Sequence, residues 1–128
     1  MTMTAGHADP PVVDDSIEQH ALAAAACLFR SLGDPARLAI LRQLEVGELR
    51  VKDVTAHLGL AQSTVSEHLA CLRDCGLVAC RSQGRASMWS LATGPEILGV
   101  LAAAERLLAA TGEAVTLCRT YGESAAAR

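Results

Sequence analysis

Apolar residues recur at helical spacing along most of this chain, and glycine and proline mark the breaks between the periodic segments. The spacing predicts a first helix that begins at Ser16, a candidate N-cap residue. Asp34 followed by Pro35 is typical of a helix start, because the carboxylate can cap the helix and proline fits its first position. The second helix is expected to end near Gly47.

Two further periodic segments are separated by a turn of four residues. The first, Val51–Leu58, is predicted to be a short helix that ends at Gly59. The second is expected to begin at Ser63 as its N-cap and to be followed by Gly76 at its C-terminus. Two helices of this length joined by such a turn are typical of a helix-turn-helix, in which the second helix reads DNA.

The next segments are short and bear the marks of a β-hairpin. Leu77–Ser82 and Arg85–Leu91 flank Gln83-Gly84, so the pattern predicts two strands and a turn, the wing. A last, alanine-rich helix is expected from Pro95 to about Thr111-Gly112, and its small apolar surface suits packing against a partner chain. The sequence therefore predicts a mainly α, winged helix-turn-helix fold of five helices plus a two-stranded hairpin, assembled as a homodimer.

Composition divides the chain into three parts. We expect a disordered N-terminal arm at 1–15, a DNA-binding and dimerisation domain at 16–112 and a tail at 113–128. Hydrophobic residues are 51% of the chain and aromatic residues 2%, so the core is expected to be aliphatic. No apolar run is long enough to cross a membrane, and the start lacks the features of a signal peptide, so we expect a cytoplasmic protein.

The polar face of the second helix in the motif is the candidate DNA-reading surface. The net charge is −3, but DNA binding needs only a local basic face, and ten of the eleven basic residues are arginine. Short or amide side chains at the start of this helix can bond to phosphates and base edges, with arginines flanking them. The alternative is an ordinary solvated helix face. The candidate contacts are Gln62, Ser63, Thr64, Ser66, His68, Arg73, Arg81 and Arg85.

Several runs of the sequence resemble the ArsR/SmtB family of metal-responsive repressors. They are Phe29–Leu41, Leu60–Leu69, Leu72–Val78, Gly84-Arg85 and Trp89–Leu91. The resemblance covers most of the chain. It implies a winged-helix homodimer that represses an operon from double-stranded operator DNA and is released when an inducing ion weakens that binding.

Two metal sites used in that family are missing from this sequence. One uses a Cys-Val-Cys-Asp pattern on the third helix, where this chain has Arg50-Val51-Lys52-Asp53. The other uses acids and histidines on the last helix, and Pro95–Thr111 contains neither histidine nor aspartate. An effector ion would need other ligands.

Five cysteines offer an alternative set of ligands. Cys71 and Cys75 are four residues apart late in the DNA-reading helix, which places both side chains on one face; packing beside leucines is the alternative interpretation. The chain resembles the actinobacterial cadmium- and lead-sensing branch of the family, and that resemblance implies Cys71, Cys75 and the tail residue Cys118 as ligands. Cys27 and Cys80 are interpreted as structural, although either could serve as a fourth ligand.

Three thiolates favour a soft ion, Cd(II) or Pb(II), with arsenite and Zn(II) as alternatives. A redox-responsive repressor that uses the same thiols is the main rival hypothesis, and a DNA-binding module without an effector is another. An enzyme with a small-molecule substrate is not expected. The cysteine spacing is not that of a thiol oxidoreductase, and no phosphate loop or catalytic triad stands out.

Overall fold

The computed structural model describes residues 15–117, which form five helices and a three-stranded antiparallel sheet. The predicted N-terminal arm, apart from position 15, and the tail from position 118 lie outside the described residues. The helices are α1 (Asp15–Leu32), α2 (Pro35–Leu44), α3 (Val51–Leu58), α4 (Gln62–Asp74) and α5 (Gly94–Ala110), and the strands are β1 (Leu49–Arg50), β2 (Val78–Gln83) and β3 (Ala86–Leu91).

Helix ends follow the local capping chemistry in most places. The Asp34 carboxylate accepts hydrogen bonds from the backbone N–H groups of Ala36 and Arg37, at 2.8 and 3.4 Å, and these bonds lower the pKa of Asp34. The N-cap of α4 lies two residues earlier than predicted: it is Ala61, with no side-chain cap bond, so the expectation that Ser63 caps the helix is wrong.

The C-terminus of α4 is closed by a Schellman motif. Gly76 has a φ of +78°, and its N–H donates to the carbonyl of Arg73 at 2.8 Å, while Leu77 N–H donates to the carbonyl of Leu72 at 2.9 Å. A positive φ strains residues that carry a Cβ, so glycine suits this position. The motif confirms Gly76 as the helix end and turns the chain directly into the wing.

The wing contains one more strand than predicted. Strand order is β1-β3-β2, and β1 adds its two residues to the hairpin by pairing Leu49 with Trp89 and Arg50 with Met88. The hairpin pairs Val78 through Gln83 with Leu91 through Ala86, and Gly84 lies in the turn. The predicted two-stranded hairpin is therefore confirmed, and β1 extends it to a three-stranded sheet that the sequence did not predict.

The core is aliphatic, as predicted, and lies where α2, α3 and α4 meet. Ile40, Leu41, Val54, Val65, Leu69 and Leu72 are fully buried, and Trp89, Ile97 and Leu101 close it from the wing and α5. Helix α4 buries one residue in every three or four and thus keeps its other faces exposed.

Helix α1 leaves its apolar face outside this core. Ile17, Leu22 and Phe29 are each about 64% exposed, whereas Leu28 and Leu32 pack against the core. Within residues 15–117, no helix combines the length and apolar character needed to span a membrane.

Candidate functional site

The N-terminal half of α4 carries the predicted DNA-reading face. Val65 and Leu69 anchor this half in the core, so the side chains on the opposite side of the helix face solvent. Gln62, Ser63 and Ser66 are exposed, and Thr64 is half-buried. The helix therefore presents a row of short polar groups to solvent, which is the arrangement that groove readout requires.

His68 points toward α2 and contacts Arg37. Arg37 Nε donates to His68 Nδ1 at 3.1 Å, which leaves the proton of a neutral ring on Nε2. The same guanidinium donates through Nη1 to the carbonyls of Arg30 and Ser31, each at 3.1 Å. Arg37 thereby links the end of α1 to the middle of α4, and sequence reasoning did not anticipate this bridge.

The three arginines predicted to flank the reading face have different surroundings. Arg81 makes two 2.7 Å bonds to Glu48, which raise the pKa of Arg81 and lower that of Glu48. The Arg73 guanidinium lies 5.7 Å from the centre of the Trp89 ring, over its face. Arg85 is exposed beside the turn of the hairpin. The protein engages two of the three internally, and Arg85 extends from the tip.

The other half of α4 lines a cleft against α1, here called the cysteine cleft. Ser31 is 2% exposed, and its Oγ lies 2.8 Å from Cys75 Sγ and 3.6 Å from Cys71 Sγ. Both thiols therefore contact one hydroxyl, and their sulfurs are separated by no more than the sum of these two distances. The cleft is lined by Cys27, Arg30, Ser31, Arg37, Glu67, Ala70, Cys71, Asp74 and Cys75.

Cys27 belongs to this cleft, whereas Cys80 does not line it. Cys27 Sγ lies 3.6 Å from Cys75 Sγ, across 48 positions of sequence. Cys80 is exposed on β2, opposite Trp89. A signal for the first contact is present in the sequence, because Cys27 and Ser31 share the four-residue spacing of the α4 pair and so lie on one face of α1.

The donor set within the described residues is sulfur-rich but incomplete. In the part of the chain from 15 to 117, no group of three or more His, Cys, Asp or Glu side chains is placed to hold a metal ion. The predicted ligand Cys118 lies outside the described residues. Leu117, just before it, packs against the core and donates its N–H to the Glu105 carboxylate on α5. The neighbouring thiols of Cys71 and Cys75 fit a soft ion, and a third donor has to join them to complete a site.

Comparison with known proteins identifies relatives of this chain. Residues 34–79 match the family described as bacterial regulatory protein, arsR family. The HTH-type transcriptional regulator CmtR of Mycobacterium tuberculosis is 48% identical over 69 residues, which are 54% of this chain and 58% of CmtR. The chain thus spans somewhat more than half the length of that relative.

Two further comparisons cover more of the molecule. A probable mercury resistance operon repressor of Streptomyces lividans is 36% identical over 99 residues, covering 77% of this chain and 78% of the relative. The homodimeric winged helix-turn-helix DNA-binding domain of Mb0332 from Mycobacterium bovis superposes with a TM-score of 0.66 at 25% identity, covering 75% of this chain and 88% of that one. The fold of this chain is thus that of a winged helix-turn-helix domain, and the relatives are named as regulators of transcription.

Proposed function

The chain belongs to the ArsR family of bacterial regulatory proteins, which are regulators and not enzymes, and on that premise we propose that it is a metal-responsive repressor. It binds double-stranded operator DNA in the cytoplasm as a homodimer. A soft ion, Cd(II) or Pb(II), releases it by binding Cys71 and Cys75, with Cys118 of the tail as the third ligand. Arsenite, Zn(II) and thiol oxidation are the rival effectors.

The exposed apolar residues of α1 and α5 support DNA binding as a dimer. The exposed apolar residues of α1, Ile17, Leu22 and Phe29, and the exposed Leu98 and Leu107 of α5 need a covering surface. A second copy of the chain supplies one, and a two-fold dimer presents two α4 helices to successive major grooves. The Mb0332 domain of Mycobacterium bovis, which has the same fold, is homodimeric.

The metal proposal depends on one observation, the contact of both α4 thiols with the buried Ser31 hydroxyl of α1. Thiolate donors favour soft ions over hard ones. When bound, the ion supplies bonds that hold these sulfurs together with a third donor. Cys71 and Cys75 would exchange their contacts with Ser31 for bonds to the ion, and α4 would then shift against α1.

Two routes connect that shift to the reading face. The cysteines and the proposed reading residues belong to one continuous helix, whose backbone hydrogen bonds let it move as a unit. Arg37 also bonds both to the α1 carbonyls and to His68 of α4. A change in the distance between α1 and α4 would therefore change the position of the middle of α4. A coupling of about 1–3 kcal/mol would weaken DNA binding by roughly 5–150-fold.

Cadmium titration of the full chain tests this proposal. An ultraviolet sulfur-to-metal charge-transfer band should appear, and operator affinity should fall in parallel. The Cys71→Ser, Cys75→Ser double variant should lose the band and the induction but keep operator binding, whereas Cys80→Ser, the matched control, should behave as the parent. An unchanged band in the double variant would exclude this site. A response to arsenite or peroxide but not to cadmium would favour the rival effectors.

A further inference from the structure

Two pairs of side chains at helical spacing face each other across the cysteine cleft. Cys27 and Ser31 lie on α1, and Cys71 and Cys75 lie on α4. Three contacts join the pairs: Ser31 Oγ lies 2.8 Å from Cys75 Sγ and 3.6 Å from Cys71 Sγ, and Cys27 Sγ lies 3.6 Å from Cys75 Sγ. All four cysteines within the described residues are free thiols, so the Cys27–Cys75 contact joins two reduced sulfurs on different helices.

Geometry favours this pair over its neighbour on α4. A disulfide needs Cβ atoms about 3.5–4.5 Å apart, whereas residues four apart on a helix have Cβ atoms about 5–6 Å apart. Cys71 and Cys75 therefore cannot bridge without distorting α4. Cys27 and Cys75 have no such restriction, and their sulfurs need to approach from 3.6 Å to about 2 Å.

We propose that Cys27 and Cys75 are a redox modification site, which a hydroperoxide converts into an intramolecular disulfide joining α1 to α4. Cys27 is exposed and Cys75 is half-buried, so Cys27 meets the oxidant first and Cys75 resolves it. The two thiols are 48 positions apart in the sequence, so only the folded chain brings them into contact.

The reaction balances with the hydroperoxide as oxidant. The Cys27 thiolate attacks the peroxide oxygen, the O–O bond breaks, and the alkoxide leaves as an alcohol after taking up a proton. The resulting sulfenic acid is attacked by the Cys75 thiolate, the S–S bond forms, and hydroxide leaves as water. Two thiols and one hydroperoxide thus give one disulfide, one alcohol and one water, and the two electrons lost by sulfur reduce the peroxide.

The bridge has a consequence for the metal site that rests on the proposed function. Oxidation removes Cys75 from the proposed donor set and leaves Cys71 and Cys118; the nearby Ser31 is a hydroxyl and a poor ligand for a soft ion, so it cannot replace the lost sulfur. Hydroperoxide and cadmium therefore compete for the same sulfur. The oxidised protein should bind cadmium more weakly and give a smaller charge-transfer band, and a dithiol reductant should restore both.

Peptide mapping of the metal-free, full-length protein after treatment with hydrogen peroxide tests the site. The expected result is a monomer lighter by about 2 Da, the two hydrogens lost, with Cys27 linked to Cys75. Cys27→Ser and Cys75→Ser should abolish that linkage. Cys71→Ser and Cys80→Ser are the controls and should keep it, and circular dichroism should confirm that all four variants are folded.

Three results would overturn the proposal: a Cys71–Cys75 bridge, a linkage to Cys118 or between chains, or a stable sulfenic acid without a disulfide. Because this experiment uses metal-free protein, its failure leaves the cadmium titration of the reduced protein untouched. Conversely, a Cys27–Cys75 bridge in a protein that ignores cadmium would support the redox site and reject the proposed metal response.

Discussion

The two halves of α4 differ in what surrounds them. The first half carries Gln62, Ser63 and Ser66, which are exposed. Within residues 15–117, their side chains form none of the hydrogen bonds that hold the fold together. The second half packs against α1 through Cys71 and Cys75. The helix is buried along one face, and its outward side chains meet solvent in the first half and α1 in the second. A change in the contacts of the second half can pass along the rigid helix to the first, as the proposed function requires.

The largest expected effect comes from placing a negative charge on the exposed face of the first half of α4. Ser66→Glu should lower operator affinity by at least about a hundredfold, because a carboxylate beside DNA phosphates costs several kcal/mol. The fold should be unchanged, since Ser66 is exposed. Titration of labelled operator measures the affinity.

The control for this variant carries the same charge change far from the reading face. Ala92 is exposed just after β3, at the opposite end of the hairpin from its tip, so Ala92→Glu should bind nearly as well as the parent. Equal losses in the two variants would indicate a net-charge effect and would remove the distinction between the two halves of α4.

A smaller effect is expected where the wing meets the DNA backbone. Arg85→Ala should weaken binding to all sequences and reduce the slope of log affinity against log salt by about one unit, if Arg85 neutralises one phosphate. Arg81→Ala should change the slope less, because Glu48 already binds that guanidinium at 2.7 Å. Salt titrations of both variants measure the difference. A larger slope change for Arg81 would mean that DNA displaces Glu48.

The smallest expected effect concerns the same ion pair and stability against pH. The bond to Arg81 lowers the pKa of Glu48 in the folded protein below its ordinary value of 4.5. The folded state therefore holds fewer protons than the unfolded state near this pH. The pair's contribution is present above the ordinary value and is lost as pH falls through the lowered one.

Denaturant midpoints over the acid range check this expectation. Parent protein should lose slightly more stability than Glu48→Gln as pH falls below the ordinary glutamate value. The difference should be small and should shrink at high salt, because the pair is exposed. Parallel acid profiles would show that the pair adds nothing measurable.

Local chemistry explains what the sequence could predict. Asp34 with Pro35, Gly59 and Gly76 determine helix ends through their own backbone preferences, so the structure confirms these breaks. The cap predicted at Ser63 was wrong, since Ala61 takes the position and no side chain bonds there. Polar residues clustered at a helix start do not by themselves reveal which of them is the first.

Tertiary contacts explain what the sequence could not predict. Strand β1 has two residues, too few to show alternation, and it exists because Leu49 pairs with Trp89. The four-residue spacing places Cys27 and Ser31 on one face of α1, but it gives no information on how α1 and α4 cross, so the Cys27–Cys75 contact could not be predicted. The proposed DNA contacts and the proposed ligands Cys71, Cys75 and Cys118 stay predictions.

The burial of Ser31 between sulfur atoms makes the cleft a ready template for protein design. A Ser31→Cys substitution exchanges one oxygen for one sulfur and gives four thiols, two from α1 and two from α4. Four cysteine sulfurs are the donor set of many structural zinc sites. If the cleft binds a soft ion as proposed, this substitution should convert a reversible site into one that holds a metal ion permanently between two helices.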